Sequence, residues 1–187
     1  MNSNKYRKGG VKNLPNKLSI FRVSCVPFFV LFMLIDSIPA HNYIAAAIFI
    51  IASITDFLDG YIARKEHLIS NFGKFMDPLA DKLLVCAAMI CLSGDKNPAW
   101  IVVIIISSDL FISGFRVLAA DQNIFLAAGW WGKFKTVFQM IMIIVLIVDI
   151  PYRFFDILGL ILIYISLALT IISLIDYVIK NKNVLKN

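Results

Sequence analysis

Six apolar runs, each close to the length of a bilayer crossing, dominate the chain: residues 18–35, 42–64, 77–93, 98–119, 133–150 and 156–179. About 20 helical residues cover the ~30 Å hydrocarbon core. In lipid an open strand would leave its backbone N–H and C=O groups without partners, so helix is the one sensible state for each run. The expected fold is all-α, a polytopic membrane protein with six transmembrane helices. A soluble all-α bundle is the alternative, and it fits poorly. Several runs are apolar on every face, whereas a water-facing helix shows a single apolar stripe. Of the 187 residues 60% are hydrophobic and mean hydropathy is +0.83, against roughly 45–50% apolar in soluble domains.

Six spans put both termini on one side, and the cations say which. The N-terminal side carries Lys5, Arg7, Lys8, Lys12, Lys17, Arg22, Arg64, Lys65, Lys74, Lys82, Arg116, Lys133, Lys135, Lys180, Lys182 and Lys186. The opposite side carries only Lys96 and Arg153. Cytoplasmic loops collect Lys and Arg, so both termini are expected in the cytoplasm. Residues 1–17 then form a basic cytoplasmic segment, 18–180 a six-helix transmembrane domain, and 181–187 a cytoplasmic tail. The turns at 36–41, 94–97 and 151–155 face outward, and the longer connections 65–76 and 120–132 face inward. A signal peptide is the weaker reading of the N-terminus, because the first run is long for a signal core and no small-residue cleavage site follows. The net charge of +6 is accounted for by these flanking cations, and no nucleic-acid partner is expected. Cys25, Cys86 and Cys91 lie inside apolar runs without metal spacing and are expected to pack there.

Against this background four aspartates stand out. Asp56 and Asp59 fall in the last turns of the second run, and Asp77 and Asp81 in the first turns of the third. The two pairs therefore meet across one inner loop, near the membrane surface. Spacings of i,i+3 and i,i+4 put each pair on one helix face. Four converging carboxylates at the edge of lipid repel one another and resist ionisation, which a divalent cation relieves. Carboxylate-only ligation favours Mg²⁺ or Mn²⁺. Three or four carboxylates suffice for two ions ~3.5–4 Å apart, an arrangement suited to phosphoryl chemistry. Gly60 and Ala63 share much of the face of Asp56, and Gly73 lies four residues before Asp77. Such small residues admit either a neighbouring helix or a nucleotide with its phosphates. Two other readings exist: an ion-pair cluster with Arg64, Lys74 and Lys82, and a divalent-cation carrier. A carrier needs a crossing path, yet the acids gather at one edge and the outer halves of the runs are almost purely apolar.

The full pattern Asp56-x₂-Asp59-Gly60-x₂-Ala63-Arg64-x₈-Gly73-x₃-Asp77-x₃-Asp81 resembles, position for position, the signature of the CDP-alcohol phosphatidyltransferases. Within that family the flanks look like the bacterial phosphatidylglycerophosphate synthases. The matching flanks are the opening from Asn13 to Arg22, the stretch from Lys74 to Lys82, and Gly132-Lys133-Phe134-Lys135-Thr136. The resemblance implies that Asp56, Asp59 and Asp77 hold Mg²⁺ or Mn²⁺, that Asp81 is the general base and a further ligand, and that Gly60, Ala63, Arg64 and Gly73 receive CDP-diacylglycerol. It also implies an inner-membrane enzyme, multi-pass and paired as a homodimer, that transfers a phosphatidyl group to glycerol 3-phosphate. Phosphatidylglycerol, serine or an inositol compound are the alternative acceptors.

A dianionic acceptor wants cations at the same face, and Arg116, Lys133 and Lys135 are the candidates, with positive-inside anchoring as their other reading. One departure bears on acceptor choice. Many phosphatidylglycerophosphate synthases carry Arg-Glu where this chain has Ser108-Asp109. An aspartate inside an apolar span is expected to pair with a basic or polar neighbour.

Overall fold

A computed structural model describes residues 14–35, 37–66, 82–121 and 129–181. Six helices occur among the described residues: α1 (Leu14–Leu34), α2 (His41–Glu66), α3 (Lys82–Cys91), α4 (Ala99–Asp121), α5 (Trp130–Val148) and α6 (Arg153–Asn181). No strand occurs among those residues; Ser93 and Asn97 form an isolated bridge. Each helix coincides with one of the apolar runs, with ends shifted by a few residues. The expected inner segments 1–13, most of 65–76, and 122–128 lie outside the described residues, as do residues 182–187. Segments Ala99–Arg116, Trp130–Val148 and Arg153–Asn181 are long and apolar enough to cross a membrane. Ile20–Leu34, His41–Thr55 and Lys82–Cys91 are shorter apolar helical segments.

The chain divides into two compact units, Met1–Cys91 and Leu92–Asn187. In the first, α1 packs along α2. The contact stripe of α2 is Ala45, Ala46, Phe49 and Ala52, all buried. The three alanines, at i, i+1 and i+7, let two helices approach closely without a hydrophobic driving force from lipid. Phe49 of that stripe meets Phe29 of α1, ring centroids 6.0 Å apart. Polar side chains on the helices close back on their own backbones: Ser24 donates to Ile20 O, Ser53 to Phe49 O and Thr55 to Ile51 O. Such i−4 bonds satisfy hydroxyls where water is absent. Arg22, counted above among the inner cations, is buried on α1.

The second unit begins with a tight turn. Gly94 sits at φ +95°, a left-handed conformation that favours glycine, and its N–H donates to Asn97 O at 2.9 Å. Helices α5 and α6 are joined by a short turn, so they run antiparallel. Asp149 closes α5 in the left-handed region (φ 49°), its N–H reaching Val145 O. Lys96 supports this helix end by donating to Leu146 O at 3.3 Å and pairing with Asp149 Oδ2 at 2.7 Å. Cations complement the negative end of a helix in this way. Helices α5 and α6 pack together, and Met142, Ile143 and Ile147 of the one and Leu162 and Ile163 of the other are buried. Glycines bring the backbones together. A Cβ on Gly159 would lie 3.1 Å from Leu146 Cδ2, and one on Gly129 would lie 3.3 Å from Asp176 Oδ2. Helix α4 meets α6 near their C-terminal ends, where Phe115 and Tyr177 stack edge to face, centroids 5.7 Å apart.

The glycine contact gives a direct test of this packing. Gly159→Ala is expected to cost little, because the tip of Leu146 can shift. Gly159→Leu overfills the contact and is expected to cost about 1–3 kcal/mol, lowering Tm by several degrees in detergent. An unchanged Tm for the leucine variant would show that α5 and α6 do not meet at this point.

Outward faces of the second unit carry Val103, Leu110, Phe111, Val137, Leu160, Ile161, Ile171, Ile172 and Ile175, all exposed. Exposed apolar surface on this scale is unusual on a soluble monomer and ordinary against lipid. Aromatic side chains sit at the helix ends. Trp100, Tyr152 and Phe154 lie at one end of the unit and Trp130 and Trp131 at the other, all exposed. Trp and Tyr concentrate in this way at membrane–water interfaces. Length, composition and exposure together describe a membrane protein.

Candidate active site

Helix α2 carries the first half of the aspartate signature. It continues unbroken from His41 to Glu66, through Asp56, Asp59, Gly60, Ala63 and Arg64. At 100° per residue, positions 59, 63, 56, 60 and 64 fall within an arc of about 140° on one side of the helix. They also span about 12 Å along its axis, at 1.5 Å per residue. Two carboxylate positions, two small positions and one cation position thus share a single stripe at the C-terminal end of α2. Gly73, Asp77 and Asp81 lie outside the described residues, and α3 is described from Lys82 onward. Among the described residues no group of three His, Cys, Asp or Glu side chains could hold a metal. The donor chemistry of the signature, carboxylate oxygen throughout, fits Mg²⁺ or Mn²⁺.

The three cations expected at the acceptor are placed very differently. Lys135, on α5, is 3% exposed. Its Nζ donates to Asp109 Oδ1 at 2.7 Å and, more weakly, lies 3.5 Å from Ser108 Oγ on α4. Gln139 Nε2, one turn along α5, lies 3.5 Å from Asp109 Oδ2. The expectation that Asp109 would pair with a basic or polar neighbour is met by Lys135 and Gln139 together. Lys133 is exposed, and its Nζ stands 4.7 Å from the Trp130 ring centroid. Arg116 is also exposed, its guanidinium carbon 5.7 Å from the centroid of the Tyr177 ring. All three belong to the same end of the second unit, since α4 finishes where α5 begins. Lys135 already has a counter-charge there. Arg116 and Lys133 have aromatic partners and, among the described residues, no carboxylate within ion-pair distance.

One feature escaped sequence reasoning. The buried face of α6 is polar over its C-terminal half: Ser166, Thr170, Ser173 and Tyr177 are buried at successive steps of four, three and four residues. With Ser108, Asp109, Lys135 and Gln139 they make a polar seam inside the three-helix unit. The signal was present, because polar residues recurring at helical spacing in an otherwise apolar segment mark an inward face. Apolar content alone hides it. The second unit also has a cavity of about 320 Å³ lined by Asp95, Lys96, Asp149, Phe155, Asp156 and Gly159. It lies at the end away from Arg116 and Lys133, and takes no part in the candidate site.

The family model described as CDP-alcohol phosphatidyltransferase matches residues 12–172, most of the chain. The chain belongs to that family. Among curated relatives, it is 41% identical to the CDP-diacylglycerol–glycerol-3-phosphate 3-phosphatidyltransferase of Bacillus subtilis (strain 168), over 93% of this chain and 97% of the relative. It is 40% identical to the protein of the same name from Haemophilus influenzae, over 88% and 91% of the two chains. A third relative of that name, from Rickettsia typhi, is 37% identical over 89% and 96%.

Proposed function

We propose that this protein transfers the phosphatidyl group of CDP-diacylglycerol to glycerol 3-phosphate, giving phosphatidylglycerophosphate and CMP in phospholipid synthesis. The observation that carries this reading is the helical stripe Asp56, Asp59, Gly60, Ala63 and Arg64 on α2, in a chain whose near full-length relatives are named for that reaction. The reading includes six spans with both termini in the cytoplasm and the site facing inward at a bacterial inner membrane. The distribution of cations supports that orientation. Homodimer formation rests on the family resemblance.

In this account Asp56, Asp59, Asp77 and Asp81 hold Mg²⁺ or Mn²⁺. Bound there, two such ions supply charge neutralisation at a pyrophosphate and at the departing phosphate. The protein's own residues do the remainder. Gly60, Ala63 and Gly73 leave room for cytidine and its phosphates beside the backbone, and Arg64 supplies a fixed cation at their edge. The diacylglycerol tails stay in lipid. Asp81 accepts the proton of the acceptor hydroxyl, which must lie within hydrogen-bond reach. The acceptor oxygen forms a bond to the phosphorus that carries diacylglycerol, the bond from that phosphorus to the CMP oxygen breaks, and CMP departs with the electron pair. Arg116 and Lys133 draw in the acceptor's phosphate, with Lys135 behind them in its pair with Asp109.

The test is an acceptor panel. Purified protein in detergent, with CDP-diacylglycerol and Mg²⁺, should release CMP with glycerol 3-phosphate and far more slowly with serine, an inositol phosphate or phosphatidylglycerol. Chelation should abolish release and added Mg²⁺ or Mn²⁺ should restore it. Release with a different acceptor would keep the chemistry and move the specificity. Ion flux in proteoliposomes without nucleotide would favour a carrier.

A further inference from the structure

Two buried hydroxyls of α6, Ser166 Oγ and Tyr177 Oη, have no hydrogen-bond partner. A buried hydroxyl without a partner costs free energy that an apolar isostere would not. Tyr177 is therefore an odd choice if its ring merely packs, since phenylalanine would fill the same space. Its position is more telling than that of Ser166, which lies mid-helix. Tyr177 is in the last turns of α6 and is 6% exposed. Phe115 meets its ring edge-on, with an interplanar angle of 80°. The Arg116 guanidinium covers the ring from outside at 5.7 Å. Arg116 has no carboxylate partner among the described residues. An orphan donor and an uncompensated cation thus share one place, at the end of the unit where the acceptor's phosphate is expected.

We propose that Tyr177 is a further acceptor-binding residue, its hydroxyl donating to an oxygen of the same phosphate monoester that Arg116 holds. The proposal rests on the reading of glycerol 3-phosphate as acceptor. An exposed guanidinium such as that of Arg116 is held only weakly by a ring face, and a charge-assisted bond to a phosphate dianion is stronger. Arg116 therefore exchanges the ring for the phosphate. In moving it uncovers Tyr177 and brings the anion to a buried donor that lacks an acceptor.

The experiment compares wild type, Tyr177→Phe and Ser166→Ala in detergent, measuring kcat, KM for each substrate and Tm. Tyr177→Phe removes one oxygen and keeps the ring under Arg116. It should raise KM for glycerol 3-phosphate about tenfold, equivalent to ~1.4 kcal/mol. KM for CDP-diacylglycerol and kcat should stay within about twofold, and Tm should hold or rise because an unsatisfied hydroxyl is gone. Ser166→Ala should leave both KM values unchanged. An active wild type with an unchanged KM in Tyr177→Phe overturns this proposal alone. So does an equal rise in KM for both substrates, or the same rise in Ser166→Ala, since each marks a general effect. A wild type that releases no CMP with glycerol 3-phosphate overturns the underlying reading as well.

Discussion

Asp81→Asn is expected to lower CMP release by about 10³-fold while leaving the protein folded. General-base catalysis contributes roughly 10²–10⁴, and an amide of the same shape has no basic oxygen to receive the acceptor's proton. Asp56→Ala and Asp59→Ala are expected to be at least as damaging, for a different reason. Each removes one negative charge and one oxygen donor from the set proposed to hold divalent cations against their hydration. The two kinds of defect separate on metal titration. Raising Mg²⁺ should recover part of the activity of Asp59→Ala, because weakened binding yields to mass action. It should recover little in Asp81→Asn, because metal driven back by mass action does not replace the proposed proton acceptor. Tm and elution volume in detergent should match wild type for Asp56→Ala and Asp59→Ala, since α2 runs through both positions in regular helix that alanine also favours. Intact CMP release in Asp56→Ala and Asp81→Asn together would sink the catalytic assignment.

The second large effect is on stability. Lys135→Met leaves the Asp109 carboxylate without the cation 2.7 Å away, inside a three-helix unit that faces lipid. Breaking one side of a buried pair costs about 3–5 kcal/mol. The lower end applies here, because the Asp109 side chain keeps 23% of its exposure. A loss near 3 kcal/mol should lower Tm by roughly 6–12 °C. Replacing both members, Lys135→Met with Asp109→Leu, should cost less than Lys135→Met alone, since no uncompensated charge remains. The double-mutant cycle isolates that coupling. Simple additivity would mean that the pair is not formed. The cycle also separates two roles for Lys135. If Tm recovers in the double variant while KM for glycerol 3-phosphate stays raised, Lys135 touches the acceptor as well as Asp109.

Most of the helical architecture was legible in the apolar runs, because in lipid the length of a run and the need to satisfy the backbone leave little choice of structure. Helix ends were less so. Residues 153–155 were expected in an outer turn, yet α6 already begins at Arg153. The amide N–H of Phe155 reaches Tyr152 O, which opens the helix early. The pairing of Asp109 could be anticipated from the cost of an isolated acid in an apolar span, but its partner could not. Lys135 is 26 residues away, and only the packing of α4, α5 and α6 brings the two together. For the same reason Lys133 and Lys135 look equivalent in sequence and are opposite in structure, one exposed and one buried. Two steps along a helix turn a side chain by about 200°, enough to move it from the surface to the seam. Of the signature aspartates, positions 56 and 59 share one face of α2 as their spacing predicts, while Asp77 and Asp81 lie outside the described residues.

The measurement that tests the central claim most directly is the lipid product itself. Wild-type protein with CDP-diacylglycerol, glycerol 3-phosphate and Mg²⁺ should form phosphatidylglycerophosphate, identified by mass spectrometry, in step with CMP at a ratio of one to one. Both should vanish when glycerol 3-phosphate is withheld. CMP formed without that lipid, or with phosphatidic acid in its place, would show that water rather than glycerol 3-phosphate takes the phosphatidyl group, and would contradict the account.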